Sequence, residues 1–326
     1  MDDERTLAGS DVAIPTMGVG TWAWGDRSTW GMGGYDAALT EASIRDAYAA
    51  SIDAGVTLLD TAEVYGNGES ERIIGRLLAD DPQRAARTLV ASKFMPFPWR
   101  VSVTTALLDS ARASLDRLGV EAIDLYQIHG PISLRGHDAI ADALAAAHAD
   151  GLVRAVGVSN YSVGETRKID AALRARGLRL ASNQVEMSLL RRAPETSGLL
   201  ATCAELGVVV LAYSPIGQGR LTGKYSADNP PPGRRDFSKH PMAIVDEVVA
   251  VTRRIGEAHD RTPAQVALRW LIDKGTVPIP GAKNATQAAQ NAGALGWSLG
   301  TDDLAALDAV ALAGRRTIQS RFWQHG

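Results

Sequence analysis

The stretch LLDTAEVYGNGES, residues 58–70, joins an apolar run to a glycine-rich loop. The apolar run is typical of a buried strand, and the glycines that follow favour a turn. Asp60 ends the run and Tyr65 follows it in the loop, so a carboxylate and a phenol lie where a parallel sheet would open into a site. Taken alone, the stretch fits two simpler structures equally well. These are a helix N-cap at Asp60–Thr61 and a tyrosine that packs its ring in a loop.

Short apolar runs alternate with amphipathic segments of helix length along the rest of the chain. The predicted strands are 16–21, 56–61, 88–93, 123–129, 154–159, 180–186, 208–214 and 276–281. The predicted helices include 40–54, 103–118, 138–150, 163–176, 194–206 and 262–274. Almost continuously apolar strands are typical of a sheet that is buried on both faces. Their alternation with helices predicts parallel strands joined by right-handed crossovers.

Eight such units predict an α/β fold, the (β/α)8 TIM barrel, as a single domain over residues 1–326. An open doubly wound sheet is the alternative. It is disfavoured because GVGTWAWG, residues 18–25, has glycines but no helix directly after them. Active sites of barrels lie at the C-terminal ends of the strands. That rule selects Asp60 and its loop, together with Lys93, His129, Ser159, Asn160, Gln184, Tyr213, Ser214 and Gly281.

Composition excludes several classes of function. The chain has 326 residues, 45% of them hydrophobic and 22% charged, and a net charge of −3. It carries no basic tract, so nucleic acid is not an expected partner. Its apolar runs are too short to span a bilayer, and its first residues show no signal-peptide pattern. With Cys203 as the only cysteine, we expect a cytoplasmic protein, monomeric or weakly self-associating, that acts on a small molecule.

Two segments outside the alternation are candidates for covering a site. Residues 217–241 are rich in glycine and proline, and a loop of this length is usually functional, so we interpret it as a lid. Residues 315–326, RRTIQSRFWQHG, carry Phe322 and Trp323. These two aromatic side chains either cover a pocket or pack on the outside of the barrel.

Asp60, Tyr65, Lys93 and His129 follow three consecutive predicted strands, and their types suit carbonyl reduction. Hydride attack on a carbonyl carbon builds negative charge on the oxygen, which a proton donor neutralises. Tyr65 is the candidate donor, and a nearby Lys93 would lower the phenol pKa from its usual value of about 10. Asp60 would hold Lys93, and His129 would orient the carbonyl oxygen. A purely structural Asp–Lys pair and a merely satisfied histidine are the alternatives.

Other chemistries have weaker support in the sequence. No second His or Cys lies at ligand spacing from His129, so we expect no metal site. The GxSxG pattern of a serine nucleophile is absent, and GVSNYS does not replace it.

Six motifs in order carry a resemblance to a known family. They are DTAEVYGNGESERIIG, VASKF, DLYQIHGP, GVSNYS, NQVEMSLL and AYSPIGQGRLTGKY. With them the chain resembles the aldo-keto reductase superfamily from GVGTW to PGAKNATQAAQN, nearly its whole length. The segments GTWAWG, ASNQV and GAKN are most similar to plant and cyanobacterial members, some of which reduce pyridoxal. The resemblance implies the same (β/α)8 barrel and a catalytic tetrad of Asp60, Tyr65, Lys93 and His129.

The resemblance also implies a nicotinamide cofactor. Ser159, Asn160 and Gln184 match the residues that bind the carboxamide, and Tyr213 matches the aromatic residue that stacks on the ring. The full set of implied cofactor-binding residues is Gly20, Thr21, Trp22, Asp60, Ser159, Asn160, Gln184, Tyr213, Ser214, Pro215, Ile216, Gly217, Gln218, Arg220, Leu221, Pro280, Gly281, Ala282, Lys283, Gln287, Gln290 and Asn291. Lys283 would pair with a 2′-phosphate and favour NADPH over NADH. A solvent-exposed loop lysine is the alternative.

The expected substrate is a small carbonyl compound in an aromatic pocket. The candidate walls are Trp22, Trp24, Tyr65, Phe94, Trp99 and His129, with Trp30, Tyr35, Phe322 and Trp323 as further candidates, and core packing is the alternative for each. Gly130 stands where relatives often carry tryptophan, which predicts a larger pocket or a freer loop.

The predicted function is NADPH-dependent reduction of aldehydes or ketones to alcohols. The alternative is a nucleotide-binding redox sensor that resembles channel β-subunits.

Overall fold

The eight predicted strands form one parallel sheet that curves into a barrel. The computed structural model describes residues 4–25, 39–231, 240–314 and 322–326. Two short strands, β1 (Arg5–Thr6) and β2 (Ala13–Ile14), precede the barrel strands β3 (Gly18–Gly20), β4 (Leu58–Asp60), β5 (Leu89–Phe94), β6 (Ile123–Ile128), β7 (Val153–Ser159), β8 (Ser182–Glu186), β9 (Val209–Tyr213) and β10 (Val277–Pro278). Strands β3 to β10 pair in chain order, and a parallel bridge between Gly20 and Gly281 joins the last strand end to the first. The (β/α)8 barrel is therefore confirmed.

Helices fill the connections between strands. They are α1 (Trp22–Gly25), α2 (Glu41–Asp53), α3 (Glu69–Asp80), α4 (Pro82–Ala85), α5 (Val103–Leu118), α6 (His137–Ala149), α7 (Val163–Arg174), α8 (Ala193–Thr196), α9 (Leu199–Leu206), α10 (Met242–His259), α11 (Pro263–Asp273), α12 (Ala285–Ala292) and α13 (Thr301–Val310). Capping boxes at Thr40, Ser162 and Thr262 begin α2, α7 and α11, where each side chain accepts from a backbone N–H three residues on.

Some predicted boundaries were wrong for local reasons. The helix predicted over 194–206 is two helices, because Gly198 adopts a left-handed φ of 83° between them. The short helix α1 does follow the glycines of GVGTWAWG, contrary to expectation, although the strand order still excludes a doubly wound sheet. The hairpin β1–β2 and helix α10 were not among the predicted elements.

The β1–β2 hairpin closes the N-terminal end of the barrel. Leu7, Val12 and Ile14 from the hairpin pack with Leu58, Leu125 and other inward side chains of the strands, and all of them are buried. A second apolar layer lies between the sheet and the helices. Only the opposite end, where the strands finish, is thus left for a polar site. Among the described helices, none has the length and apolar character to cross a membrane.

Candidate active site

Asp60, Tyr65, Lys93 and His129 come together at the C-terminal ends of β4, β5 and β6. Lys93 is fully buried, and its Nζ lies 2.5 Å from Asp60 Oδ1 and 2.8 Å from the Thr61 carbonyl oxygen. The same Nζ lies 5.2 Å from the centre of the Tyr65 ring. The ring centres of Tyr65 and His129 are 5.6 Å apart, edge to face. The four residues named from sequence therefore form one cluster.

Strand alternation puts three of these side chains inside the barrel. Successive side chains of a strand point to opposite faces. Lys93 pairs with Gln127 across β5 and β6 and points inward with it, and His129, two residues on, points inward too. Phe94 and Ile128, the outward pair beside them, belong to the apolar layer under the helices.

A tight glycine loop fixes Tyr65. Gly66, Asn67 and Gly68 all have positive φ, at 59°, 53° and 85°. A Cβ at Gly66 would lie 2.1 Å from the Gly25 carbonyl oxygen, so only glycine fits this close approach. The Tyr65 carbonyl accepts from the Ser70 N–H at 3.2 Å, which ties the loop to the start of α3. The YGNGES sequence thus determines where the phenol lies.

A layer of amides holds the Asp60 carboxylate. Gln184 Nε2 donates to Asp60 Oδ2 at 2.7 Å, and Gln127 Nε2 approaches the same oxygen at 3.4 Å. Ser182 Oγ donates in turn to Gln127 Oε1 at 3.2 Å. Gly157 leaves room for this layer, because a Cβ there would lie 2.2 Å from Ser182 Oγ. Sequence reasoning missed Gln127, although its inward position two residues before His129 was a usable signal.

Burial sets the electrostatics of His129 and Lys93. Desolvation lowers the pKa of His129 well below its usual 6.5, and the charge of Lys93 lowers it further. The imidazole is therefore neutral at neutral pH. Its Nδ1 is buried and has no hydrogen-bond partner among the described residues. Burial also lowers the pKa of Lys93, while the charge of Asp60 opposes that shift.

The four side chains that the sequence assigned to the nicotinamide lie on or just after β7, β8 and β9. They are Ser159, Asn160, Gln184 and Tyr213. Tyr213 OH donates to Asn160 Oδ1 at 3.0 Å, and Asn160 Nδ2 donates to Ser159 Oγ at 3.1 Å. Ser159 Oγ donates to the Gln184 carbonyl oxygen at 2.8 Å. Asn160 and Ser214 have left-handed φ values of 64° and 51°. Such strained backbone persists only where its surroundings hold it, and it is concentrated at functional sites.

A family model described as "Aldo/keto reductase family" matches residues 16–312. The chain belongs to the aldo/keto reductase family. The chain is 35% identical over 324 residues to "Pyridoxal reductase, chloroplastic" of Arabidopsis thaliana, with 96% of this chain and 87% of that protein covered. Membership makes it an oxidoreductase.

Solved structures agree with the family and with the fold of this reductase. The glycerol dehydrogenase of Gluconobacter oxydans superposes with a TM-score of 0.80 at 28% identity, covering 99% of this chain and 97% of that one. An aldo-keto reductase of Klebsiella pneumoniae, solved in complex with NADPH, superposes with a TM-score of 0.72 at 28% identity, covering 96% and 97%.

The remaining residues named for a cofactor flank β3, β9 and β10 of this aldo/keto reductase. Residues Gly217–Thr222 form a 3₁₀ turn in which Gly217 and Gly219 have φ values of 55° and 90°. Arg220 and Leu221 in this turn are buried. Thr21 is fully buried, and its Oγ1 donates to the Asp60 carbonyl oxygen at 2.9 Å, which joins β3 to the catalytic strand end.

Lys283 directly precedes α12, the helix that Asn284 caps. The Lys283 N–H donates to Gln287 Oε1 at 3.1 Å, and Asn291 Nδ2 donates to the Gly281 carbonyl oxygen at 3.2 Å. Gln290 lies on the same helix, where its carbonyl accepts from Gln265. Gly20 N donates to the Pro280 carbonyl oxygen at 3.1 Å. Lys283, Gln287 and Asn291 therefore lie close to the end of β10, at the rim of the barrel.

The predicted substrate walls of this reductase do not all lie beside the tetrad. Phe94 and Trp24 are buried in the apolar layer, and Trp24 Nε1 donates to the Ala282 carbonyl oxygen at 2.7 Å. Trp99 is 71% exposed and stacks on Phe97. The inward position of Lys93 turns Phe94 outward, so its placement does not support a wall role. Trp22 is half-buried at the start of α1, and Trp30 and Tyr35 lie outside the described residues.

Phe322 and Trp323 differ sharply in environment. The Trp323 ring centre lies 5.3 Å from that of His129, whereas Phe322 is 67% exposed. The Trp323 ring also takes the space beside Gly130, where a Cβ would lie 2.9 Å from it. The Trp323 ring therefore fills that space. The larger pocket that we expected at Gly130 is not found.

Proposed function

We propose that this aldo/keto reductase reduces aldehydes or ketones to alcohols with NADPH, and that Tyr65 donates the proton. The observation that carries the proposal is the cluster at the strand ends. A fully buried Lys93 lies 5.2 Å from the Tyr65 ring, and the His129 ring lies beside that same phenol. The family and its solved relatives supply the reaction class, and this cluster supplies groups of the right type for it.

The described residues fit a nicotinamide nucleotide. Ser159, Asn160 and Gln184 offer hydroxyl and amide groups at adjacent strand ends, beside the Tyr213 ring. Asn160 and the neighbouring Ser214 are held in strained backbone at that place. The turn Gly217–Thr222 would cover the pyrophosphate. It is the first part of the lid proposed over residues 217–241, of which 232–239 lie outside the described residues. When bound, the nicotinamide supplies the hydride.

The chain's own residues would handle the oxygen of the carbonyl group. The Tyr65 hydroxyl would give its proton to that oxygen as negative charge develops on it. The His129 imidazole would donate a hydrogen bond to the same oxygen and orient it. It would do so in its neutral form, because burial and the nearby charge of Lys93 disfavour a second positive charge. Lys93, held by Asp60 and the Thr61 carbonyl, would stabilise the phenolate that Tyr65 becomes.

Tyr65→Phe tests the proton-donor role. We expect NADPH affinity to stay unchanged, because the ring is kept, and kcat to fall at least about a hundredfold, because the general acid is lost. Binding is measured by cofactor fluorescence and turnover by NADPH oxidation. Tyr126→Phe is the matched control, since Tyr126 is buried and points away from the barrel interior. Near-normal turnover in Tyr65→Phe would refute the role.

A panel of carbonyl compounds defines the activity. Pyridoxal, methylglyoxal and nitrobenzaldehyde sample three sizes, and pyridoxal is included because the plant relative is named for it. NADPH oxidation with any of them supports the proposal. Tight NADPH binding without turnover of the panel would favour the redox-sensor role instead. A cytoplasmic location and a monomeric or weakly self-associating state stay predictions.

A further inference from the structure

Residues 322–326 cross the C-terminal end of the barrel and contact both halves of the site. On one side, the Trp323 ring lies against His129, with ring centres 5.3 Å apart and planes inclined by 61°. Three atoms of the Trp323 ring lie closer than van der Waals contact to the place where a Gly130 Cβ would be, the nearest at 2.9 Å. Glycine at 130 thus allows a tryptophan from elsewhere in the chain to lie beside the catalytic histidine.

On the other side, Gln324 is anchored in a buried polar pocket. Its Nε2 donates to Glu186 Oε2 at 2.7 Å and to the Tyr213 hydroxyl at 2.9 Å. Gln324 and Glu186 are both more than nine-tenths buried, at 6% and 3% exposure. The Tyr213 hydroxyl, which accepts this bond, donates in turn to Asn160 Oδ1. One amide group thereby joins residues 322–326 to two residues assigned to the nicotinamide.

Backbone bonds secure the segment beyond Gln324. The His325 N–H donates to the Asn160 carbonyl oxygen at 3.1 Å, and the buried Arg191 Nη2 donates to the Gly326 carbonyl oxygen at 3.1 Å. Arg191 also lies 3.7 Å from Glu186. The segment is therefore docked by a connected set of buried groups, which hold one another in place.

We propose that Gln324 is a positioning residue that latches residues 322–326 across the barrel mouth. Through the latch, Trp323 becomes a wall of the substrate site beside His129, and the Tyr213 ring is held in place. The part that concerns Tyr213 and the cofactor rests on the proposed function. The latch itself does not rest on the proposed function. Docking of the segment and binding of the nucleotide should therefore support each other, because both depend on one orientation of Tyr213.

Hydrogen exchange of the cofactor-free protein tests the latch directly. In Gln324→Ala we expect the peptide covering residues 322–326 to exchange at least severalfold faster than in the unaltered protein. Without the Gln324 bonds to Glu186 and Tyr213, the segment should open more often and expose the His325 N–H that bonds the Asn160 carbonyl oxygen. Phe322→Ala is the matched control. It removes the adjacent aromatic ring, which is 67% exposed, and it should leave the exchange rate unchanged. Equal exchange in Gln324→Ala and the unaltered protein would overturn the latch.

Cofactor affinity tests the coupling to Tyr213. We expect Gln324→Ala to raise the NADPH Kd roughly fivefold, the effect of losing one hydrogen bond. Gln324→Glu should raise it further, because it places a second carboxylate against Glu186. Phe322→Ala should leave the Kd unchanged. Faster exchange with an unchanged Kd in both Gln324 variants would overturn the coupling. If the unaltered protein does not bind NADPH, the proposed function fails, and exchange alone decides the latch.

Gly130→Ala tests the wall without touching Gln324. The added methyl group requires the Trp323 ring to move, so we expect a change in KM for the bulkiest carbonyl substrate and little change in kcat for the smallest. Trp323→Ala opens the same space and should lower the KM for bulky carbonyls relative to small ones. The ratio of KM for bulky carbonyls to KM for small ones is the decisive quantity. If both variants and the unaltered protein show the same ratio, the wall assignment is overturned, even if either variant is less stable.

Discussion

At the scale of single residues, the Asp60–Lys93 pair is the feature on which the site depends. Both side chains are at least 97% buried, and Lys93 carries its charge into the barrel interior. A charge in such a place costs several kcal/mol unless it is paired and hydrogen-bonded. The two amides of Gln127 and Gln184 and the Thr61 carbonyl complete that pairing. The sequence predicted the pair and named Gln184 as a site residue, whereas the contacts of Gln184 and Gln127 with Asp60 became visible only in the fold.

Lys93→Met measures how much the pair matters for stability. We expect the free energy of unfolding to fall by about 3–5 kcal/mol, because the variant leaves the Asp60 carboxylate buried without its cation. Urea denaturation provides the measurement. The double variant Asp60→Asn/Lys93→Met should recover much of the loss, since it removes both charges. Equal stability of Lys93→Met and the unaltered protein would show that the Asp60–Lys93 pair does not stabilise the fold.

At the scale of elements, each strand sorts its residues by alternation. On β5 the inward residue is Lys93 and the outward one is Phe94, so the two cannot both reach the barrel interior. The sequence named both as site residues because both lie at the end of β5, without regard to which face of the sheet each side chain would occupy. The rule of two-residue periodicity would have separated them. The loop after β4 was predictable in more detail, because Gly66 and Gly68 signal the backbone that orients Tyr65.

Helix α12 carries the prediction for the cofactor preference. Lys283 lies just before its capped N-terminus, where both the ammonium group and the helix dipole favour a bound phosphate. We expect Lys283→Ala to raise the NADPH Kd at least severalfold and to leave the NADH Kd nearly unchanged. Calorimetric titration measures both. Lys168→Ala, an exposed lysine on α7, serves as control. Unchanged NADPH affinity in Lys283→Ala would remove the basis for preferring NADPH.

At the scale of the whole molecule, an apolar plug and the polar catalytic cluster lie at opposite ends of the barrel. The β1–β2 hairpin fills the N-terminal end with apolar side chains, and the polar cluster occupies the C-terminal end. The hairpin strands are only two residues each and lie outside the alternation of apolar runs and helices from which the barrel strands were predicted. Its function as a plug became clear only from the packing of Leu7, Val12 and Ile14.

Ile14→Ala tests this separation. Ile14 is fully buried in the plug, so we expect the free energy of unfolding to fall by about 2–5 kcal/mol. The kcat for carbonyl reduction should change less than twofold at temperatures where the variant stays folded, because the tetrad lies at the far end. Thermal unfolding and steady-state kinetics measure the two effects. A large loss of kcat in folded Ile14→Ala would show that the two ends are coupled.

The sequence by itself determined the eight strands of the barrel, the barrel fold and the four catalytic candidates. These follow from local signals, namely apolar runs, the alternation of elements and polar residues at strand ends, which act over a few residues. Only the tertiary structure decided which neighbours complete the site. Gln127 reaches Asp60, and Gln324 reaches Glu186 and Tyr213 across 138 and 111 positions of the chain. Contacts at such separations depend on how the folded chain brings distant segments together, and a pattern that acts over a few residues does not specify which side chains then meet.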